Sequence, residues 1–121
     1  ESADLVIKIG DETTPITVGT SKVTLRPSAA LTLSAIPRAA LTTASTVGLP
    51  TFDIKVGGTT ILGAAKLSID ANELSSVTAT TPTTLVTTSI ADDAVITIDV
   101  TVAGTGAAGA QVTIRATRRN R

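Results

Sequence analysis

The chain has no histidine and no cysteine among its 121 residues. Without His it lacks the side chain that most often moves protons near neutral pH and most often binds metals. Without Cys it has neither disulfides nor thiolate metal sites. Aromatic residues are almost as scarce, and Phe52 is the only ring in the sequence. Sugar-binding sandwiches lay pyranose rings on Trp or Tyr, and binders of single-stranded nucleic acid stack bases on aromatics. Both functions are therefore disfavoured. No apolar run approaches the roughly 20 residues of a transmembrane helix, so no membrane partner is expected. Neither sign of charge is in excess, with 10 basic and 10 acidic residues. Nothing electrostatic then points to nucleic acid or to an acidic membrane as a partner.

What remains is Leu, Ile, Val, Ala and an abundance of Thr. A core of aliphatic side chains packs in thin layers, and the expected stability of an isolated monomer is modest. That points to self-association. Thr is β-branched and suits a solvated sheet face. The length fits one domain. Residues 1–117 are expected to form a single β-sandwich domain, and 118–121 a basic tail carrying Arg118, Arg119 and Arg121. A short terminal run of this kind reads first as solvated. The sequence opens on Glu1 with no signal-like segment, so either the start is processed or the numbering begins within a longer polypeptide.

The strongest pattern lies in residues 94–116. Ala94, Ile96, Ile98, Val100 and Val102 alternate with Thr97, Asp99 and Thr101, the period of a strand with one buried face. Ala110, Val112, Ile114 and Ala116 alternate with Gln111, Thr113, Arg115 and Thr117. Gly104, Gly106 and Gly109 lie between the two runs. The segment predicts a C-terminal hairpin that forms the central packing unit, with Thr97, Asp99, Thr113 and Arg115 facing away from the core.

Earlier strands are expected at residues 4–9, 22–26 and 31–34, with Pro37 marking an edge or bulge and 38–43 a possible continuation. A second hairpin is expected over 51–62, turning at Gly57-Gly58, where two residues accept positive φ. Further strands are expected at 66–70 and 85–89. Between them Asp70 could cap a helical turn with Glu73 reaching back, and 75–84 reads as a loop. Eight to ten short strands without helical periodicity give an all-β, antiparallel, two-sheet β-sandwich, with a jelly roll the expected topology.

Candidate chemistry is sparse. Asp92-Asp93 on a strand would point to opposite faces, which rules out a paired-carboxylate mechanism. As calcium ligands they would need oxygens from Asp70 or Glu73, and no calcium-loop spacing is present. A turn using Asp for local backbone bonds is the simpler reading, and Asp11-Glu12 has the same status. A Ser–Lys nucleophile with Lys22, Lys55 or Lys66 has no motif behind it. Gly57-Gly58 and the glycines from Gly104 to Gly109 open no helix, as phosphate cradles require. No catalytic residue, metal or cofactor is expected.

Three stretches carry a resemblance. They are Phe52-Asp53-Ile54-Lys55-Val56-Gly57-Gly58-Thr59-Thr60-Ile61-Leu62, then Lys66-Leu67-Ser68-Ile69-Asp70-Ala71, then Ile90-Ala91-Asp92-Asp93-Ala94-Val95-Ile96-Thr97-Ile98-Asp99-Val100. In this order, with a closing Gly-rich strand at 108–114, they resemble small virion proteins of tailed bacteriophages. The opening Ile9-Gly10-Asp11-Glu12-Thr13-Thr14 and the Lys22-Val23-Thr24 strand are also similar. The resemblance implies a non-enzymatic structural protein on the outer surface of a virion, assembled in the host cytoplasm. Its partners would be the major capsid protein or tail proteins. Independently of the resemblance, the aromatic-poor core and the closed symmetry usual for identical chains lead to an expected homo-oligomer, with a trimer preferred. The resembling group includes head-decoration, head-fibre, tail-fibre and baseplate proteins; a capsid decoration or cement protein is the first expectation and a tail-fibre or baseplate module that contacts the host the second. A secreted carbohydrate-binding module is a reading of another class.

Overall fold

In the computed structural model, which describes residues 2–118, nearly all regular structure is strand. The strands are β1 (Ser2–Ile9), β2 (Gly19–Leu25), β3 (Leu31–Leu33), β4 (Arg38–Ala40), β5 (Thr51–Val56), β6 (Thr59–Thr60), β7 (Leu67–Ser68), β8 (Ser89–Ile90), β9 (Ile96–Val102) and β10 (Ala110–Arg118). A single 3₁₀ turn, Ser76–Thr78, is capped by the Ser75 side chain, which accepts from the Val77 N–H. No helix of the described residues is long and apolar enough to cross a membrane.

The strands form two antiparallel sheets that pack together as a β-sandwich. One sheet runs β1-β10-β3-β8, with β4 pairing β10 beyond β3. The other runs β2-β9-β5-β6, with β7 pairing β5 beyond β6. Pairing proceeds inward from the ends of the chain: β1 with β10, β2 with β9, β3 with β8, and β5 with β6. The chain is thus a long antiparallel ribbon folded at Gly57-Gly58 and wound so that successive segments alternate between sheets. Both glycines have positive φ, 62° and 86°, as a tight two-residue turn between twisted strands demands. The expected 51–62 hairpin is this tip.

Residues 94–116 do not form a hairpin. β9 and β10 sit in opposite sheets, so the glycine-rich connection is an arch across the core rather than a turn within a sheet. Alternation had identified the inward side of each arm correctly, but it cannot tell strands that pair edge to edge from strands that face one another. Ile96, Ile98, Val100, Val112 and Ile114 are all buried and meet in one core with Ile7, Ile9, Leu31, Phe52 and Ile54. Val102, expected inward, is 44% exposed. The β5–β9 register shifts between Thr51 and Phe52, and the extra residue on β9 turns Val102 to the face of Thr51. In the arch, Gly109 has φ +69°, and a Cβ there would strike the Thr42 side chain, which lies over it.

Other expectations shift by smaller amounts. The run after Pro37 forms a strand only over Arg38–Ala40, with an isolated bridge from Thr43 to Ala108, so β3 and β4 pair the same side of β10 in two pieces interrupted near that proline. The expected strand at 66–70 narrows to Leu67–Ser68. The one expected at 85–89 moves to Ser89–Ile90, with Leu85 making an isolated bridge to Leu62. Arg119 to Arg121 of the expected basic tail lie outside the described residues.

Candidate functional site

Of the acidic residues singled out from the sequence, Asp11, Glu12, Asp70, Glu73 and Asp93 are engaged in contacts within the chain. Asp11 accepts hydrogen bonds from the backbone N–H groups of Thr14 (2.6 Å) and Thr13 (3.0 Å) and from the Thr14 hydroxyl (3.0 Å). The Thr14 and Thr13 N–H bonds hold its carboxyl below the usual carboxylate range. Glu12 pairs with Lys8 at 3.0 Å on the surface. Asp93 has φ +64°, donates its N–H to the Pro27 carbonyl at 3.0 Å and faces Arg26 at 3.6 Å. Asp70 does not cap a helix. It accepts from the N–H and hydroxyl of Thr80, pinning the 75–84 loop to the sheet, while Glu73 accepts from the Thr78 hydroxyl at 2.7 Å. Asp70 and Glu73 are thus occupied with separate threonines, and no group of three or more potential ligands that could hold a metal is found among the described residues.

The lysines are equally engaged. Lys22 donates to the Thr17 hydroxyl at 2.8 Å, and Lys66 donates to the Gly63 carbonyl at 2.8 Å. Lys55 pairs with Asp99 at 2.9 Å. None of these contacts involves a serine hydroxyl.

The Lys55–Asp99 pair belongs to a polar cluster that the sequence did not disclose. Asp53 and Asp99 register directly opposite one another on β5 and β9, on the side of that sheet turned away from the core. Asp99 was expected to face away from the core, and it does, but it is only 3% exposed. The cause is β2. Its register against β9 shifts between Gly19 and Val23, and the extra residues fold over the carboxylate. Ser21, strained at φ +50°, aims its N–H at Asp99 Oδ1 at 2.7 Å. Burial pushes the Asp99 carboxyl up, but the Ser21 N–H bond, then the Lys55 hydrogen bond and charge, outweigh it and hold the group below its ordinary value. The Asp99 hydrogen bond and then its charge raise Lys55 in turn. Asp53 accepts from the Thr60 hydroxyl at 2.5 Å, and Lys66 approaches that hydroxyl at 3.4 Å. Asp53, Lys55 and Asp99 all occupy polar positions of alternating strands. Nothing in the sequence states that β5 and β9 are neighbours in this register, so the cluster was not legible there.

Every buried side-chain N or O atom among the described residues has a hydrogen-bond partner. The cluster thus centres on an ion pair fixed between strands, with both Asp99 oxygens engaged by protein donors.

An apolar concavity lies elsewhere. A groove of about 280 Å³ runs between the residues around Pro37 and the 76–83 segment. Ile36, Val77, Leu67, Ala79, Pro37 and Pro82 line it, with Arg38 at its rim. Ile36 and Val77 are exposed large apolar side chains, of the kind that favour contact with another macromolecule when they adjoin. The groove lies where the pairing to β10 is interrupted between β3 and β4, in the segment that holds Pro37, which has no N–H to donate to the ladder.

No family model, no curated protein and no solved structure matches the chain.

Proposed function

We propose that the protein is a non-enzymatic structural component of a tailed-bacteriophage virion, docked on the outer surface of the capsid as a decoration or cement protein. The observation that carries this reading is where the resembling motifs fall. The Gly-Gly stretch is the tip of the ribbon, Lys-Leu-Ser-Ile-Asp-Ala contains β7, and Ile-Thr-Ile-Asp-Val lies in β9. The shared residues therefore specify a frame and no reactive site, as expected of proteins whose task is to occupy a lattice position. The topology is read as a jelly roll. Ribbon pairing from both chain ends, with strand orders β1-β10-β3-β8 and β2-β9-β5-β6, supports that reading. The apolar groove beside Pro37 supplies a surface suited to a protein partner.

A tail-fibre or baseplate module contacting the host surface is the second reading, on the same frame. The carbohydrate-binding reading loses its remaining support, because Phe52, the sole aromatic, is fully buried and offers no face to a sugar. Cryo-electron microscopy of purified particles that encode the chain tests the proposal. Density for this sandwich on the capsid exterior is the expected result, density on the tail selects the second reading, and absence from particles rejects both.

A further inference from the structure

Both walls of the groove beside Pro37 are tied to the fold. On one side the Ser34 N–H bonds the Arg115 carbonyl, and Arg38 registers with Thr113 of β10. On the other, Ser76 Oγ accepts from the Ala39 N–H at 2.9 Å, and the Thr83 hydroxyl donates to the Ala65 carbonyl at 2.5 Å. Thr80, between them, donates its N–H and hydroxyl to Asp70. Ile36 on the first wall and Val77 on the second stay 48% and 59% exposed above buried Leu67.

The charge around the groove has one sign. A second hollow adjoins it, sharing Ala35, Ile36 and Arg38 and adding Thr113 and Arg115. The only ionisable side chains lining either hollow are the guanidinium groups of Arg38 and Arg115. Arg38 is exposed, and none of the described carboxylates pairs with it. Asp70 and Glu73, the acids closest in sequence to the 76–83 wall, are turned to Thr80 and Thr78.

These features select the occupant. At about 280 Å³ the groove falls just short of the roughly 300–1,000 Å³ of a small-molecule pocket and suits one or two aliphatic side chains. Single-stranded nucleic acid stacks on aromatic rings, and none lines the groove. The chain's own C-terminal residues have the wrong sign, since Arg118, Arg119 and Arg121 are basic. A second copy is a poor match. Its exposed Leu74 has Glu73 beside it, but that carboxylate already bonds Thr78, and Asp92-Asp93 is flanked by alanines too small to fill the groove.

We infer that the groove receives a segment of another protein in which an aliphatic side chain adjoins a carboxylate, the aliphatic group lying between Ile36 and Val77 and the carboxylate on Arg38. This deepens the docking role proposed above and rests on it. The desolvated aliphatic contact supplies affinity, and the rim charge sets orientation and partner choice.

Amide-detected NMR titration of the whole chain with end-blocked peptides is the test. The probes are acetyl-Gly-Asp-Ile-Asp-Gly-amide and its Asn-Ile-Asn, Asp-Ala-Asp and Lys-Ile-Lys analogues. The first is expected to give saturable shifts confined to residues 35–38, 67–68 and 76–83, with millimolar affinity. Removing its carboxylates should weaken binding about threefold to fivefold, and trimming Ile to Ala at least about fivefold. Arg38→Gln should abolish the preference for the acidic peptide, and Arg38→Glu should reverse it in favour of Lys-Ile-Lys. The spectra themselves show whether each variant is folded. Binding that ignores the carboxylates or Arg38, shifts centred elsewhere, or no saturable shift at about 10 mM peptide would overturn the inference. Shifts at the groove from phosphatidylglycerol vesicles and none from the peptide would overturn it in favour of a membrane. The titrations read the groove alone and the particle images read the role, so failure of one is told apart from failure of the other.

Discussion

β9 and β10 begin from nearly the same pattern and end in different surroundings. Each is flanked on both sides in its own sheet, and each sends aliphatic residues into the shared core. Their outward rows differ. On β10 Thr113 is half-buried and Arg115 exposed, the solvated face that alternation leads one to expect. On β9 the corresponding row holds Asp99, roofed by the β2 bulge and paired with Lys55. The period-2 signal states which side of a strand meets the core. It says nothing of what covers the other side, because that depends on a bulge in a strand some eighty residues away.

The likeness of the two strands is sharpest at their centres. Ile98 and Ile114 are both fully buried, and Ile98→Ala and Ile114→Ala should each cost about 2–5 kcal/mol in chemical denaturation. A cost under about 1 kcal/mol for either would mean that its strand is not central to the core.

The difference appears one residue away. Asp99→Ala strips the Ser21 N–H and Lys55 of their partner and should cost about 1–3 kcal/mol, the range for a buried group left unsatisfied. Lys55 remains a third exposed and can recover water, which keeps the loss below that of a fully buried ion pair. Thr113→Ala, the comparable change on β10, should fall within about 0.5 kcal/mol. Equal costs at the two positions would erase the contrast.

The ion pair also sets a pH dependence. Because the folded state holds Asp99 below its ordinary value, its contribution is complete above the unfolded carboxylate pKa of about 3.9 and disappears as pH falls through the lower folded value. Asp99→Asn should therefore be less stable than wild type at neutral pH and lose less on acidification, the two melting curves converging in acid. Parallel pH profiles would show that Asp99 gains nothing from ionisation. Asp11, also held low, titrates in both proteins and drops out of the difference.

Much of the frame was legible. The tip at Gly57-Gly58, the inward residues of β1, β5, β9 and β10, and the all-β sandwich class follow from alternation and turn chemistry. Pairing did not follow. The strongest apparent hairpin proved to be an arch, since glycines that permit a turn equally permit a crossing between sheets. Register is a long-range property, and so the Asp53–Asp99 opposition, the covered face of β9 and the groove beside Pro37 could be seen only in three dimensions. Asp70 misled for a related reason, as its capping partner in sequence lost to Thr80 across a loop.

The placement of β9 and β10 in opposite sheets underlies the ribbon pairing and the functional reading built on it. Interstrand nuclear Overhauser contacts measure it directly. Backbone contacts are expected between Val6 and Thr113 and between Ile54 and Ile98, with none linking β9 to β10. A ladder of backbone contacts joining residues 96–102 to 110–116 would show the hairpin instead and would contradict the two-sheet arrangement described here.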